Sequence, residues 1–382
     1  MPRYSILLPT RNGAELLPGV VASVLEQGYE DFELVISDNA STDATPEILA
    51  DVASGDPRVV LLRQDEALGV TDNWMRAFQA SSGDRFTLIG DDDLLLPGYF
   101  LKADRLVEAA DDPDVLMYNG YAFAFPGFLG VEEAQYADPF FAPESPIPSD
   151  GYLADAARRS VVDAIFRFDF PLPLNFQNVL AKRTAVELLP GDFFRQPFPD
   201  FFALVGLMLR ADRWYISPEQ MVVIGVSPKS FGQTAHSSQS AEKARRYLGI
   251  DPNFEGQLPG SEVMNGHYET LQVLKQAFPE ELGDVAISRS DYVWQQAYSW
   301  YVQYRLGSLG NADLASRVRL LSASDLLSLA QLFAKRLRPG VIRNRTRMSP
   351  DHVAQTLWPG MRPVPGVRDI SGFGHWISDP SS

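Results

Sequence analysis

The sequence predicts an α/β fold, a mainly parallel sheet covered by helices on both faces, followed by a mainly helical C-terminal region. Two observations carry this. Over the first 120 residues, short apolar runs alternate with helical periodicity at intervals of about 25 residues, as parallel strands joined by right-handed crossovers require. Beyond about residue 240 the apolar spacing becomes that of amphipathic helices.

The elements follow in order. "YSILLP" reads as a strand, "AELLPGVVASVLEQ" as a helix and "FELVIS" as a second strand. A helix over "TPEILADVA", a strand at "RVVLLR", a helix through "VTDNWMRAFQAS", a strand at "RFTLI" and a helix from Pro97 to near Ala110 complete this part. From Tyr121 to about Pro148 the aromatic, Pro- and Gly-rich sequence predicts long loops. Regular structure returns in the helix "DGYLADAARRSVVDAIFR", the short strand "QNVLAKR", a helix in "PDFFALVGLMLRA" starting near Asp200, and strand material in "RWYISPEQMVVIGVS". The last third holds amphipathic patterns over "SDYVWQQAYSWYVQYRL" and "LASRVRLLSASDLLSLAQLFAKRL". The expected division is 1–240 (a nucleotide-binding half, 1–120, and an acceptor half, 121–240) and 241–382, for acceptor binding or dimerisation.

Composition narrows the function. The net charge of −16 argues against nucleic-acid binding, since nothing in that balance neutralises a phosphate backbone. With no cysteine, disulfides, thiolate metal sites and cysteine nucleophiles are excluded. The apolar stretch of "MPRYSILLPTRNG" is too short for a signal peptide, and the longest apolar run, Phe201 to Leu209, is too short to span a bilayer. The expected location is cytoplasmic.

In parallel α/β sheets ligands bind outside the carboxyl ends of the strands. That places "PTRN" (Pro9 to Asn12), "SDNASTD" (Ser37 to Asp43) and "GDDD" (Gly90 to Asp93) along one crevice. Three adjacent carboxylates at a strand end repel each other unless solvent, basic groups or a cation relieve them. Mg²⁺ or Mn²⁺ characteristically takes one or two carboxylates plus substrate phosphates. Neither G-x-x-x-x-G-K-[ST] nor G-x-G-x-x-G after the first strand occurs, so a metal is the expected handle on phosphate.

The stretch from "ILLPTRNGAELLPGVVASVLEQGYEDFELVISDNASTDAT" through "LGVTDNWMRAFQASSGDRFTLIGDDDLLLPGYF" resembles the N-terminal half of the family 2 glycosyltransferases, of the GT-A fold. The likeness runs from residue 4 to about 110 and continues weakly to about 235. It implies a nucleoside-diphosphate sugar donor, a divalent metal (Mn²⁺ or Mg²⁺), and inverting transfer to a hydroxyl of a glycan, lipid-linked or small-molecule acceptor. By motif, Pro9, Thr10, Arg11 and Asn12 border the nucleoside, Asp38 and Asn39 accept from the base, Asp91 holds the ribose, and Asp92 with Asp93 serves the metal. Two departures stand out. The family often has two acids at Asp38-Asn39, and its D-x-D has an acid where this chain has Gly90, so Asp91 and Asp93 are an alternative pair.

Inverting transfer needs a base for the acceptor proton. The resemblance points to Asp200, whose other reading is a helix N-cap, and Asp192 is a candidate to share the role. The loop "GVSPKSFGQTAHSSQ" resembles the one that closes over the diphosphate, with Lys229 and Ser230 on phosphate and His236 as a metal ligand; His267, His352 and His375 receive no role. "YNGYAFAFPGFLG" reads as core or as an acceptor platform. The run "KRLRPGVIRNRTR" (335–347) reads as solvated surface or as peripheral contact with anionic lipid, and Asn344 opens a glycosylation sequon. Two rival functions stay open: a sugar nucleotidyltransferase, which would show a basic Gly-rich loop where "PTRNGAE" stands, and a non-catalytic nucleotide-sugar or glycan binder.

Overall fold

A computed structural model describes residues 1–128, 131–227, 230, 253–305, 307–332 and 360–378, and the backbone of 333–336. The first half follows the predicted alternation: β1 (Tyr4–Thr10), α1 (Leu17–Leu25), β2 (Phe32–Asp38), α2 (Thr45–Gly55), β3 (Val59–Arg63), α3 (Val70–Ala80), β4 (Arg85–Leu88), the two-residue β5 (Leu94–Leu95) and α4 (Tyr99–Ala109). Then come β6 (Val115–Ala124), β7 (Gln135–Ala137), β8 (Gly151–Tyr152), α5 (Asp155–Ile165), β9 (Val179–Lys182), α6 (Arg183–Val186), α7 (Pro199–Arg210) and β10 (Trp214–Val226).

Strands β3-β2-β1-β4-β9-β6 lie side by side, and β10 runs parallel to β6. All are parallel except β9, which is antiparallel to both β4 and β6. Alternation along β1 feeds two layers. Ile6 and Leu8 pack with Val20, Val24 and Phe100 of α1 and α4, whereas Leu7 joins Phe86, Ala77 of α3 and Val161 of α5. The expected α/β architecture with helices on both faces is therefore present.

One expectation is corrected. The segment read as loops from Tyr121 begins inside β6, a ten-residue strand whose residues are buried except the half-exposed Tyr121. Burial on both faces erases the alternating pattern, and Asn119-Gly120 imitates a hairpin turn. Gly120 stands there because β10 comes close: a Cβ at that position would lie 2.3 Å from the carbonyl oxygen of Val222. The aromatic residues of this stretch are core, with Tyr118 and Phe123 fully buried.

The C-terminal region is helical: α8 (Glu262–Ala277), α9 (Pro279–Leu282), α10 (Arg289–Arg305), α11 (Asn311–Val318) and α12 (Ala323–Arg336). The pattern over 314–337 is two helices rather than one. Ser322 and Asp325 exchange hydrogen bonds at 3.1 Å, backbone N–H to side chain in both directions, a reciprocal cap that starts α12 afresh. Leu271, Leu274, Val293 and Trp300 belong to the same core as α5 and α7, so packing is continuous across residue 240. The chain then returns to the sheet: β11 (Arg362–Pro363) pairs with β7, and α13 (Ile370–Ser378) buries Phe373 against Phe123, with ring centroids 4.9 Å apart. Among the described residues no helix is long and apolar enough to cross a membrane.

Phe373 is fully buried in the small core that also contains Leu94 and Leu96, which follow the acidic cluster. Phe373→Ala is expected to cost about 3–5 kcal/mol of unfolding free energy, read from the urea midpoint at constant slope.

Candidate functional site

The site forms where β1, β2 and β4 end together. In register, Thr10 lies beside Asp38 and Leu7 beside Leu88, so the chain beyond Leu88 passes over the end of β1. There the Thr10 hydroxyl donates to Asp91 Oδ2 at 2.8 Å. β10 arrives from the other side, and α7 closes the far wall. The result is a cavity of about 590 Å³ lined by Pro9, Thr10, Arg11, Asn39, Asp91, Asp92, Asp93, Asp200 and Ser230, among others.

The three adjacent carboxylates have separate environments. Asp93 is buried, its Oδ2 accepting from Gly90 N–H at 2.6 Å and its Oδ1 from Gly225 N–H at 3.0 Å. Desolvation, reinforced by the charge of Asp92, pushes its carboxyl up to about 7. With both oxygens engaged by the backbone, Asp93 is a structural pin, which departs from the metal-ligand role expected of it. Asp92 accepts from the Ser230 hydroxyl at 2.6 Å and from Ser227 N–H at 3.4 Å. Gly90 explains the absent first acid of the usual motif: a Cβ there would stand 2.9 Å from Asp92 Oδ1 and 3.1 Å from Asp93 Oδ2.

Asp200 enters from α7. Pro199 opens that helix with its preset φ and missing N–H, and the N-cap residue is Phe198, which makes no side-chain cap bond. Asp200 is thus not the cap. Its Oδ1 accepts from the N–H of the next residue, Phe201, at 2.9 Å, and burial pushes its carboxyl up to about 6. Behind it, His267 of α8 stacks on Phe201 and meets Phe198, with centroids 5.0 and 4.8 Å away; desolvation lowers its imidazole to about 4 and keeps it neutral.

The base-reading pair is arranged differently from the expectation. The Asn39 side chain works like a strand partner for the loop before α3, accepting from Leu68 N–H at 2.7 Å and from Gln64, and donating to the Leu68 carbonyl at 3.0 Å. Asp38 is 1% exposed, bonded to Ser41 N–H and paired with Arg63 at 3.2 Å, and it does not line the cavity. Asn12 also stands outside the lining; its Oδ1 accepts from Thr42 N–H at 2.8 Å. Asp192 is exposed and away from the cavity, so it does not stand with Asp200. Lys229, His236 and the sequon at Asn344 lie outside the described residues.

Sequence reading missed Trp74, Phe140, Asn175, Gln177 and Phe198, all on the cavity wall. They come from α3 and from irregular segments, where no periodicity marks a side chain as facing a ligand. As for a metal, no cluster of three or more His, Asp and Glu residues able to hold one occurs among the described residues. Asp91 and Asp92 at the cavity nonetheless fit the one or two carboxylates that a cation shared with a diphosphate requires.

Residues 5–131 match the family model described as glycosyl transferase family 2. Among curated relatives, the GalNAc(5)-diNAcBac-PP-undecaprenol beta-1,3-glucosyltransferase of Campylobacter jejuni is 29% identical over 141 residues, covering 37% of this chain and 42% of that protein. The PGL/p-HBAD biosynthesis glycosyltransferase of Mycobacterium bovis is 33% identical over 123 residues, 31% and 46% of the two chains. The match thus spans less than half the length of either relative. Among solved structures, S. aureus TarS 1-349 in complex with UDP-GlcNAc aligns over 81% of this chain and 93% of its own, with 16% identity and a TM-score of 0.47.

Asn39→Asp keeps the acceptor for Leu68 N–H but turns a charged oxygen on the Leu68 carbonyl. It is expected to destabilise the fold by about 1–3 kcal/mol in urea denaturation, which explains an amide at this position.

Proposed function

We propose that this protein is an inverting glycosyltransferase that moves a sugar from a nucleoside-diphosphate donor to a hydroxyl of a glycan, lipid-linked or small-molecule acceptor. The observation that carries this reading is the shared cavity, with Asp91 and Asp92 at the strand ends and Asp200 on the opposing helix. The family-model match over residues 5–131 supports it, and the activities of the relatives favour a glycan or lipid-linked acceptor.

In this reading Pro9, Thr10 and Arg11 border the nucleoside, and Asp91, oriented by the Thr10 hydroxyl, accepts from the ribose. With the Asn39 amide and Asp38 committed to protein partners, recognition of the base falls to backbone groups and to the wall formed by Leu68 and Val70. Asp92, steadied by Ser230, would hold a divalent cation against the diphosphate. Such a cation supplies Lewis-acid stabilisation of the departing diphosphate. Asp200 removes the acceptor proton as the acceptor oxygen attacks the anomeric carbon from the face opposite the diphosphate, and the breaking C–O bond's electrons leave with the phosphate. Trp74, Phe140 and Phe198 offer aromatic surface for the acceptor.

A donor nucleotide at about a hundred times its Kd should add about 2.7 kcal/mol of stability by mass action. Screening nucleoside diphosphates with Mn²⁺, Mg²⁺ or EDTA by thermal melting should find one that stabilises the protein only with metal, and Asp92→Ala should abolish that shift. No stabilisation of the folded wild-type protein by any nucleotide would sink the reading.

The base assignment has its own tests. Asp200→Asn is expected to lower kcat by about 10²- to 10⁴-fold while leaving the nucleotide-dependent melting shift intact. The raised Asp200 carboxyl is ionised, and able to accept a proton, above about pH 6. In wild type kcat/KM should therefore fall about tenfold per pH unit below that value, and this limb should vanish in the variant.

A further inference from the structure

Among the described residues the cavity wall holds six hydroxyl and amide side chains, and five of them are committed to protein partners. Thr10 donates to Asp91, Ser230 donates to Asp92, and the Asn39 amide serves the loop at Leu68. Asn73 is tied to Ser37, accepting from its hydroxyl at 2.7 Å and donating to its carbonyl at 3.2 Å. Gln177 serves Asp93: its hydrogen bond favours the charged carboxylate, so the amide nitrogen is the donor. The sixth, Asn175, is half-buried on the wall, and its side chain makes no hydrogen bond among the described residues.

Asn175 stands at the N-cap of the 3₁₀ turn Phe176–Asn178, where an asparagine side chain ordinarily caps the backbone, yet no such bond forms. Buried neighbours hold the turn instead. Phe176 is fully buried and stacks on Phe86 with ring centroids 5.4 Å apart, and its carbonyl accepts from the Thr87 hydroxyl at 3.2 Å. Asn178, also fully buried, donates to the Tyr118 carbonyl at 3.1 Å. A turn anchored through the two residues Phe176 and Asn178 thus leaves an uncommitted amide at the cavity.

Position and chemistry name the group it meets. Through Gln177 the turn touches Asp93, next in sequence to Asp92, which in the transferase reading holds the cation on the diphosphate. The group bonded directly to that diphosphate is the transferred sugar. A carboxamide both donates and accepts, which matches a ring hydroxyl or an N-acetyl group. Charge points the same way: Asp91, Asp92 and Asp200 line the cavity, and the one Lys or Arg among its described lining residues, Arg11, borders the nucleoside in that reading. A carboxylate on the sugar would meet acids there and no basic partner.

We propose that Asn175 recognises the transferred sugar through its hydroxyl or N-acetyl groups, and that this sugar is uncharged. The inference rests on the glycosyltransferase reading, and its test separates the two.

The test is calorimetric titration of the full chain in Mn²⁺, comparing UDP with UDP-glucose, UDP-N-acetylglucosamine and UDP-glucuronate, and GDP with GDP-mannose. Wild type should bind a neutral nucleotide sugar in preference to UDP-glucuronate. In Asn175→Ala the Kd of that nucleotide sugar should rise about tenfold, while the Kd of its free diphosphate and the melting temperature without nucleotide match wild type. Asn175→Leu, of similar shape, repeats the comparison should the alanine variant lose stability. An unchanged Kd for the nucleotide sugar in a stable variant overturns the inference, as does equal weakening of the free diphosphate or a preference for UDP-glucuronate. Failure of both free diphosphates to bind the folded wild type sinks the transferase reading and this inference with it, whereas normal diphosphate binding with an indifferent variant sinks this inference alone.

Discussion

The site depends on one buried carboxyl. Asp93 accepts from the backbone N–H of Gly90 in its own turn and from Gly225 on β10, joining two elements separated by more than a hundred residues of sequence. This pin directs the neighbouring acids: Asp91 towards Thr10 on β1, and Asp92 towards Ser227 and Ser230 beyond β10. A buried carboxylate is costly, and its affinity for a proton rises accordingly, but two convergent backbone donors offset that cost. Proximity of the Asp92 charge is then imposed by the fold rather than relieved by it.

The same economy operates at the other wall. Asp200 sits in the first turn of α7, where the helix N-terminus favours negative charge, yet its burial keeps the carboxyl protonated to a higher pH than an exposed acid. Phe198, Phe201 and a neutral His267 pack together behind Asp200, and His267 belongs to α8. The C-terminal helices therefore contribute to the site without lining it. The last described segment does likewise from the opposite side, where Phe373 shares a core with Leu94 and Leu96 just past the acidic turn.

Much was legible in the sequence because its signals are local. The four parallel strands and their helices announce themselves through apolar periodicity, and the strand-end rule assembles Pro9–Asn12, Ser37–Asp43 and Gly90–Asp93 into one crevice, of which Pro9–Arg11, Asn39 and Gly90–Asp93 line the cavity and Asn12 and Asp38 do not. Strand β6 escaped because double burial removes alternation and Asn119-Gly120 reads as a turn. The break between α11 and α12 escaped because the apolar spacing runs through it, while the Ser322–Asp325 cap decides the boundary.

By itself, then, the sequence determined the fold class, the acidic cluster at the end of β4 and the candidate base on the helix after residue 198. Only the tertiary structure decided which acids face the cavity, that Asn39 is spent on the loop at Leu68, and that Asp38 is neutralised by Arg63. The reason is physical. Periodicity records which side of an element is buried, whereas the role of a polar side chain depends on which distant donors reach it and how much water remains.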